Sequence, residues 1–160
     1  MRIMVTGPKG IGKTTICERI ISQRKRSFGF LTHPILREGR RVGFYLVDIK
    51  THERKLLASE NSDGPKLGRY FFSPEGIAFG IRALKRSGDL CVVDELGRLE
   101  LEGEGFYGAI PLLRERKNLI VTTRSDFAQG IIELFEVEFR VFEITIENRE
   151  IMGDYASLIK

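Results

Sequence analysis

The sequence predicts an α/β fold: a three-layer sandwich with a mostly parallel central sheet, helices on both faces and a small antiparallel hairpin insert. Three observations predict it. A glycine-rich loop, Gly7 to Gly12, separates a short apolar run from a helix-periodic one. After residue 73, apolar runs of strand length alternate with helical segments, the pattern of right-handed βαβ units on a parallel sheet. Between these regions, strand-like runs are punctuated by Gly39 and by the Asn61 to Gly64 cluster, which read as turns between antiparallel strands.

Taken in order, Arg2 to Thr6 reads as a buried strand and Thr14 to Arg24 as a helix with Ile16, Cys17, Ile20 and Ile21 on one face. Strand-like runs follow at Phe28 to Leu31, Arg41 to Ile49 and Lys55 to Ala58. His33 and Pro34 read as loop, and His52 lies in a charged turn, so neither histidine is a catalytic candidate. Ser73-Pro74-Glu75 has the chemistry of a helix start: a hydroxyl to accept from an unpaired N–H, a ring that fixes the first helical φ, and an acid in the first turn. That helix is expected to run to about Arg86. Then come Leu90 to Val93 (strand), Gly105 to Glu115 (helix), Leu119 to Thr123 (strand), Phe127 to Phe135 (helix), Phe139 to Ile146 (strand) and Asn148 to Ile159 (helix).

With 160 residues the expectation is a single domain, 1–160, large enough to bury a core. No apolar run reaches the roughly 20 residues of a membrane span, and Met1 to Val5 enters a strand pattern without the core of a signal peptide, which points to the cytoplasm. Cys17 and Cys91 sit within apolar periodic segments and read as buried free thiols. The net charge is +4. Its basic groups, at Arg24 to Arg26, Arg40-Arg41, Lys85-Arg86 and Arg114 to Lys117, are scattered. A nucleic-acid partner is compatible with such charge, but nothing in the sequence supports one, and a monomer is expected.

Gly7-Pro8-Lys9-Gly10-Ile11-Gly12-Lys13-Thr14 satisfies G-x-x-x-x-G-K-[ST], the phosphate-binding loop, between strand and helix as the motif requires. Glycines let successive N–H groups turn toward phosphate oxygens, and the following helix N-terminus adds partial positive charge. Lys13 is expected to reach the β- and γ-phosphates, Thr14 to offer its hydroxyl to Mg²⁺, and Thr15 to bond an α-phosphate oxygen. Leu90-Cys91-Val92-Val93-Asp94-Glu95 is an apolar strand ending in two acids, the pattern of the second motif of P-loop NTPases. Asp94 is the candidate metal ligand with Thr14, and Glu95 the candidate base for an attacking water. Cations must meet the charge that develops on the γ-phosphate. The candidates are Lys9, Arg98, Lys66 and Arg69, with Arg98 favoured because its loop begins at the metal position.

The residues that carry this pattern also resemble a family. Gly7 to Thr15, the Gly29-Phe30-x-Thr32 and Arg40 to Phe44 hairpin, Lys66 to Tyr70, Asp94-Glu95-Leu96-Gly97-Arg98-Leu99-Glu100-Leu101, and Phe142 to Arg149 are together similar to the small nucleoside-triphosphatases first described from thermophiles, whose human member is the cancer-related nucleoside-triphosphatase. The resemblance implies one α/β domain and slow Mg²⁺-dependent hydrolysis of several nucleoside triphosphates, ATP and GTP among them. It implies roles for Lys13, Thr14, Asp94, Glu95 and the basic residue at Arg98. The chain departs from the family at His33, Pro34 and Leu36, where two acids and an arginine are usual. Two alternatives stay open: a small nucleoside or nucleotide kinase, and an adaptor that binds nucleotide without turnover.

Overall fold

The computed structural model describes residues 1–150. Its strands are β1 (Arg2–Gly7), β2 (Ser27–Arg37), β3 (Arg40–Asp48), β4 (Arg54–Ser59), β5 (Lys66–Leu67), β6 (Tyr70–Phe72), β7 (Leu90–Val93), β8 (Leu119–Arg124) and β9 (Arg140–Glu143). Its α-helices are α1 (Lys13–Ser22), α2 (Pro74–Leu84), α3 (Arg98–Leu101), α4 (Ile110–Arg114) and α5 (Ala128–Phe135). All the strands join one nine-stranded sheet in the order β5-β6-β4-β3-β2-β7-β8-β1-β9.

Strand alternation decides which face each side chain serves. Ile3, Val5, Leu90, Val92 and Ile120 point to one face, where Ile16, Cys17 and Ile20 of α1 cover them. Met4, Cys91, Val93, Leu119 and Val121 point to the other, under Phe79 and Leu84 of α2, Leu113 of α4 and Phe135 of α5. These are the three layers expected. Both cysteines are buried and free, and burial pushes the Cys91 thiol up to about 12.

The sheet is mixed rather than mostly parallel. β2, β7, β8, β1 and β9 run parallel to their neighbours, while β2·β3, β3·β4, β4·β6 and β5·β6 are antiparallel. The expected hairpin insert is therefore the near edge of a longer antiparallel extension, continuous with the parallel half because β2 belongs to both.

β2 also runs straight through His33 and Pro34, which pair with Tyr45 and Phe44 of β3. The strand tolerates the proline for a geometric reason. β7 accompanies β2 only as far as Phe30. The Thr32 N–H faces that side and finds the Asp94 carboxylate. Two residues on, position 34 faces the same side past the end of β7, where no ladder bond needs a donor.

The helix start at Ser73 is as expected, its hydroxyl accepting from Gly76 N at 3.1 Å. The helix expected over 105–115 is instead a 3₁₀ turn at Tyr107–Ala109 leading into α4, with Pro111 in its first turn. Residues 146–150 form a turn, and the remainder of the expected C-terminal helix lies outside the described residues. Among the described residues no helix is long and apolar enough to cross a membrane.

Candidate functional site

The loop from Gly7 to Gly12 joins the carboxyl end of β1 to α1. Gly12, at φ 115°, occupies the helix N-cap in the left-handed region that a side chain disfavours. The Ile11 side chain is buried with Ile3, Val5 and Ile16 and anchors the loop from below. The Lys13 ammonium is buried and donates to the carbonyls of Gly7 at 2.9 Å and Pro8 at 3.1 Å. Thr15 is exposed.

Asp94 follows the last residue of β7 and is 1% exposed. Its Oδ1 accepts from the Thr122 hydroxyl at 2.6 Å. Its Oδ2 accepts from the Thr14 hydroxyl at 2.7 Å and from Thr32 N at 3.1 Å. The Thr32 hydroxyl donates to the Asp94 carbonyl. The loop helix, β2 and β8 thus converge on one carboxylate. Burial pushes its pKa up, opposed by the donors from Thr122, Thr14 and Thr32.

The donor set is oxygen only: one carboxylate and one hydroxyl side by side. That suits Mg²⁺, a hard cation that takes one or two carboxylates and completes its shell with substrate phosphates and water. Among the described residues no group of three or more His, Cys, Asp and Glu could hold a metal ion.

Glu95 is joined to Asp94 by a cis peptide. Its Oε2 lies 3.7 Å from the Lys13 ammonium, and its side chain is 34% exposed. Burial pushes this carboxyl up and Lys13 draws it back. Burial in turn lowers Lys13, whose charge Glu95 and Asp94 support.

Lys9, Gly10, Gly12, Lys13, Thr14, Asp94 and Glu95 line a cavity of about 250 Å³ over the loop, together with Arg41 and Arg124. Neither arginine is among the cation candidates that the sequence offers, although Arg41 belongs to the Arg40-Arg41 pair. Arg124 ends β8 opposite Gly7 in the β1·β8 register, so the same edge of the sheet carries both. Burial lowers the Lys9 ammonium, and the nearby charges of Arg41, Arg124 and Arg69 lower it further, with Glu95 opposing. Arg98 is elsewhere: it opens α3, pairs with Glu102 at 3.4 Å and lines a neighbouring cavity. Lys66 is exposed over the Phe71 ring. His33 stacks on Tyr45 and pairs with Glu18 at 3.4 Å.

Glu100 closes the loop after Glu95. It is buried, and its carboxylate accepts from Gly97 N at 2.7 Å and Phe106 N at 2.9 Å. Phe106 then packs against Phe30 at 4.7 Å. Glu100→Ala strands two backbone donors, at about 1–3 kcal/mol for each that stays buried. The urea midpoint is expected to fall accordingly; an unchanged midpoint would mean the loop is held by other contacts.

A family model described as NTPase matches residues 2–155. The chain is 31% identical to the nucleoside-triphosphatase THEP1 of Archaeoglobus fulgidus, the match covering 93% of this chain and 92% of that protein. It is 33% identical to THEP1 of Methanopyrus kandleri, over 95% and 91% of the two. Among solved structures, THEP1 of Aquifex aeolicus superposes with a TM-score of 0.83 at 25% identity, covering 100% of this chain and 99% of that one. A human cancer-related nucleoside triphosphatase superposes at 0.79, 23% identity and 99% and 97% coverage, a likeness of fold.

Proposed function

From its membership of the NTPase family, to which the chain belongs over residues 2–155, we propose that it is a single-domain, Mg²⁺-dependent phosphohydrolase. It acts on ATP, GTP and other common nucleoside triphosphates to give the diphosphate and inorganic phosphate. The observation that carries the metal requirement is the Thr14 hydroxyl at 2.7 Å from the Asp94 carboxylate, on the floor of the cavity that Lys13 and Glu95 share.

The N–H groups of the 7–13 loop and the α1 N-terminus hold the phosphates. Thr14 and Asp94 would hold Mg²⁺, which would supply positive charge against that of the bound triphosphate. Lys13 leaves the carbonyls of Gly7 and Pro8 for the β- and γ-phosphates. Glu95 positions a water and accepts its proton as the water oxygen attacks the γ-phosphorus. The bond from that phosphorus to the β,γ-bridging oxygen breaks, and its electron pair leaves with the diphosphate. Lys9, Arg41 and Arg124 offset the charge on the transferring group.

The test is phosphate release from ATP, GTP, CTP and UTP with and without Mg²⁺. Turnover above the water rate only with Mg²⁺ is the expected result; tight binding of all four without turnover would leave an adaptor.

Arg124 lines the phosphate cavity and Arg98 does not. Loss of a charge-assisted bond is worth about 1.5–3 kcal/mol, so Arg124→Ala is expected to lower kcat by roughly tenfold to a hundredfold. Arg98→Ala should change it less. The reverse ranking in steady-state kinetics would return the cationic role to Arg98.

A further inference from the structure

Beside the phosphate cavity lies a second one of about 350 Å³. The two share a wall made by Lys9, Thr32, Phe44, Glu95 and Arg124. Beyond that wall the second cavity is lined mainly by apolar and aromatic groups, among them Leu67, Tyr70, Phe72, Phe106 and Phe127. Its volume falls in the range of small-molecule sites. Phe44 and Tyr70 meet edge to face at 5.3 Å, with the Arg41 guanidinium 5.2 Å from one ring and Arg69 5.0 Å from the other, and aromatic groups of this kind also pack against another planar ring.

The charge at this cavity exceeds what a triphosphate uses. Lys9, Lys13, Arg41 and Arg124 serve the phosphate cavity. Arg69 and Arg98 line only the second, and Arg98 meets Glu102 at 3.4 Å through its Nε alone. Arg69 is held in place: its guanidinium donates to the Arg41 carbonyl at 2.8 Å and the Tyr70 hydroxyl at 2.7 Å, and lies 5.0 Å from the Tyr70 ring. These bonds leave further guanidinium N–H donors for an anion. Glu100, the buried acid on this side, has both oxygens committed to backbone N–H groups.

We propose that this cavity is a second ligand site, taking a planar aromatic molecule that bears an anionic group and binding it together with the triphosphate. The ring occupies the Phe44, Tyr70 and Phe127 side and the anion meets Arg69 and Arg98. Because Glu95 belongs to the common wall, the bound ligand displaces water from its flank and slows phosphate release; this effect on rate rests on the hydrolytic reading of Glu95, whereas the binding does not. Nucleoside monophosphates and aromatic carboxylates share the required chemistry.

The test is calorimetry on protein first saturated with Mg²⁺ and the β,γ-imido analogue of ATP. AMP, GMP, CMP, UMP and indole-3-acetate are then titrated in turn. At least one aromatic anion is expected to bind one-to-one, which distinguishes the nucleotide source from the carboxylate source. The uncharged counterpart of that ligand, its nucleoside or indole, should bind about tenfold more weakly, as should the ligand itself to Arg69→Gln, each having lost a charge-assisted bond. Leu67→Trp fills the cavity and should abolish this binding while keeping the analogue. The proposal is overturned if no anion binds the saturated protein at millimolar concentration, or if Leu67→Trp binds it equally well. If the analogue itself does not bind, the nucleotide reading fails, and the same titrations on the unsaturated protein, with Leu67→Trp as control, still decide the cavity.

Discussion

Replacing Glu95 by Gln is expected to lower kcat by about 10²–10⁴-fold, the usual contribution of a positioned acid–base group, with KM little changed. The substitution nearly preserves shape, so the Lys13 ammonium at 3.7 Å keeps a polar neighbour. What is lost is the ability to take the proton of the attacking water. The acid limb of the rate profile provides a second readout. Burial pushes the Glu95 carboxyl above the ordinary glutamate range, with Lys13 pulling the other way. A base works only when deprotonated, so activity should fall on acidification at a pH above the usual glutamate value of about 4.3. In Glu95→Gln the residual rate should lack that limb. Equal turnover by the two proteins would make Glu95 a bystander and move the base elsewhere.

The parts of this site that were legible in the sequence are those where chemistry constrains the chain locally. The phosphate loop needs glycine at set spacings because its N–H groups must turn inward, and Gly12 at φ 115° bears that out. Asp94 was legible because an apolar strand that ends in an acid delivers it to the carboxyl edge of a sheet. Arg124 was not, since its place beside the loop follows from the pairing of Gly7 with Arg124 across β1 and β8, a register that no local pattern specifies. Glu100 enters the sequence reading only as part of the stretch that resembles the family; its bond to Phe106 N is made only once the loop closes.

The antiparallel half of the sheet is less legible in the sequence for a related reason. β5 and β6 are two and three residues long, too short to display alternation. Pro34 read as loop because proline is locally a turn signal, whereas its missing N–H faces a stretch of strand edge with no partner. The 105–115 segment read as one helix from its apolar spacing, but Pro111 restricts where a helix can start and divides it.

Asp94→Asn should separate catalysis from stability. With a metal ligand reduced to a neutral amide, the Mg²⁺ concentration for half-maximal activity should rise about tenfold to a hundredfold, the scale on which metal affinity responds even to changes around a ligand. Nucleotide affinity in Mg²⁺ should weaken with it. Stability without metal should move the other way. Asp94 is 1% exposed, and burial raises its folded pKa above the unfolded value despite the donors from Thr122, Thr14 and Thr32. A carboxyl so raised binds its proton more tightly when folded, so its contribution to stability is present in acid and is lost as the pH rises through the folded pKa. Asn carries no charge at any of these pH values, and the Thr122 hydroxyl can rotate to accept from its amide nitrogen while the amide oxygen still accepts from the Thr14 hydroxyl and Thr32 N. In EDTA the thermal midpoint of Asp94→Asn should therefore exceed that of the unsubstituted protein at pH 7, and the gap should narrow as the pH falls through the raised folded pKa of Asp94. With Mg²⁺ and a non-hydrolysable triphosphate the order should invert, because only the carboxylate binds the metal well. A variant less stable than the parent at pH 7 in EDTA would mean the three donors outweigh burial, and an unchanged Mg²⁺ requirement would remove Asp94 from the metal site.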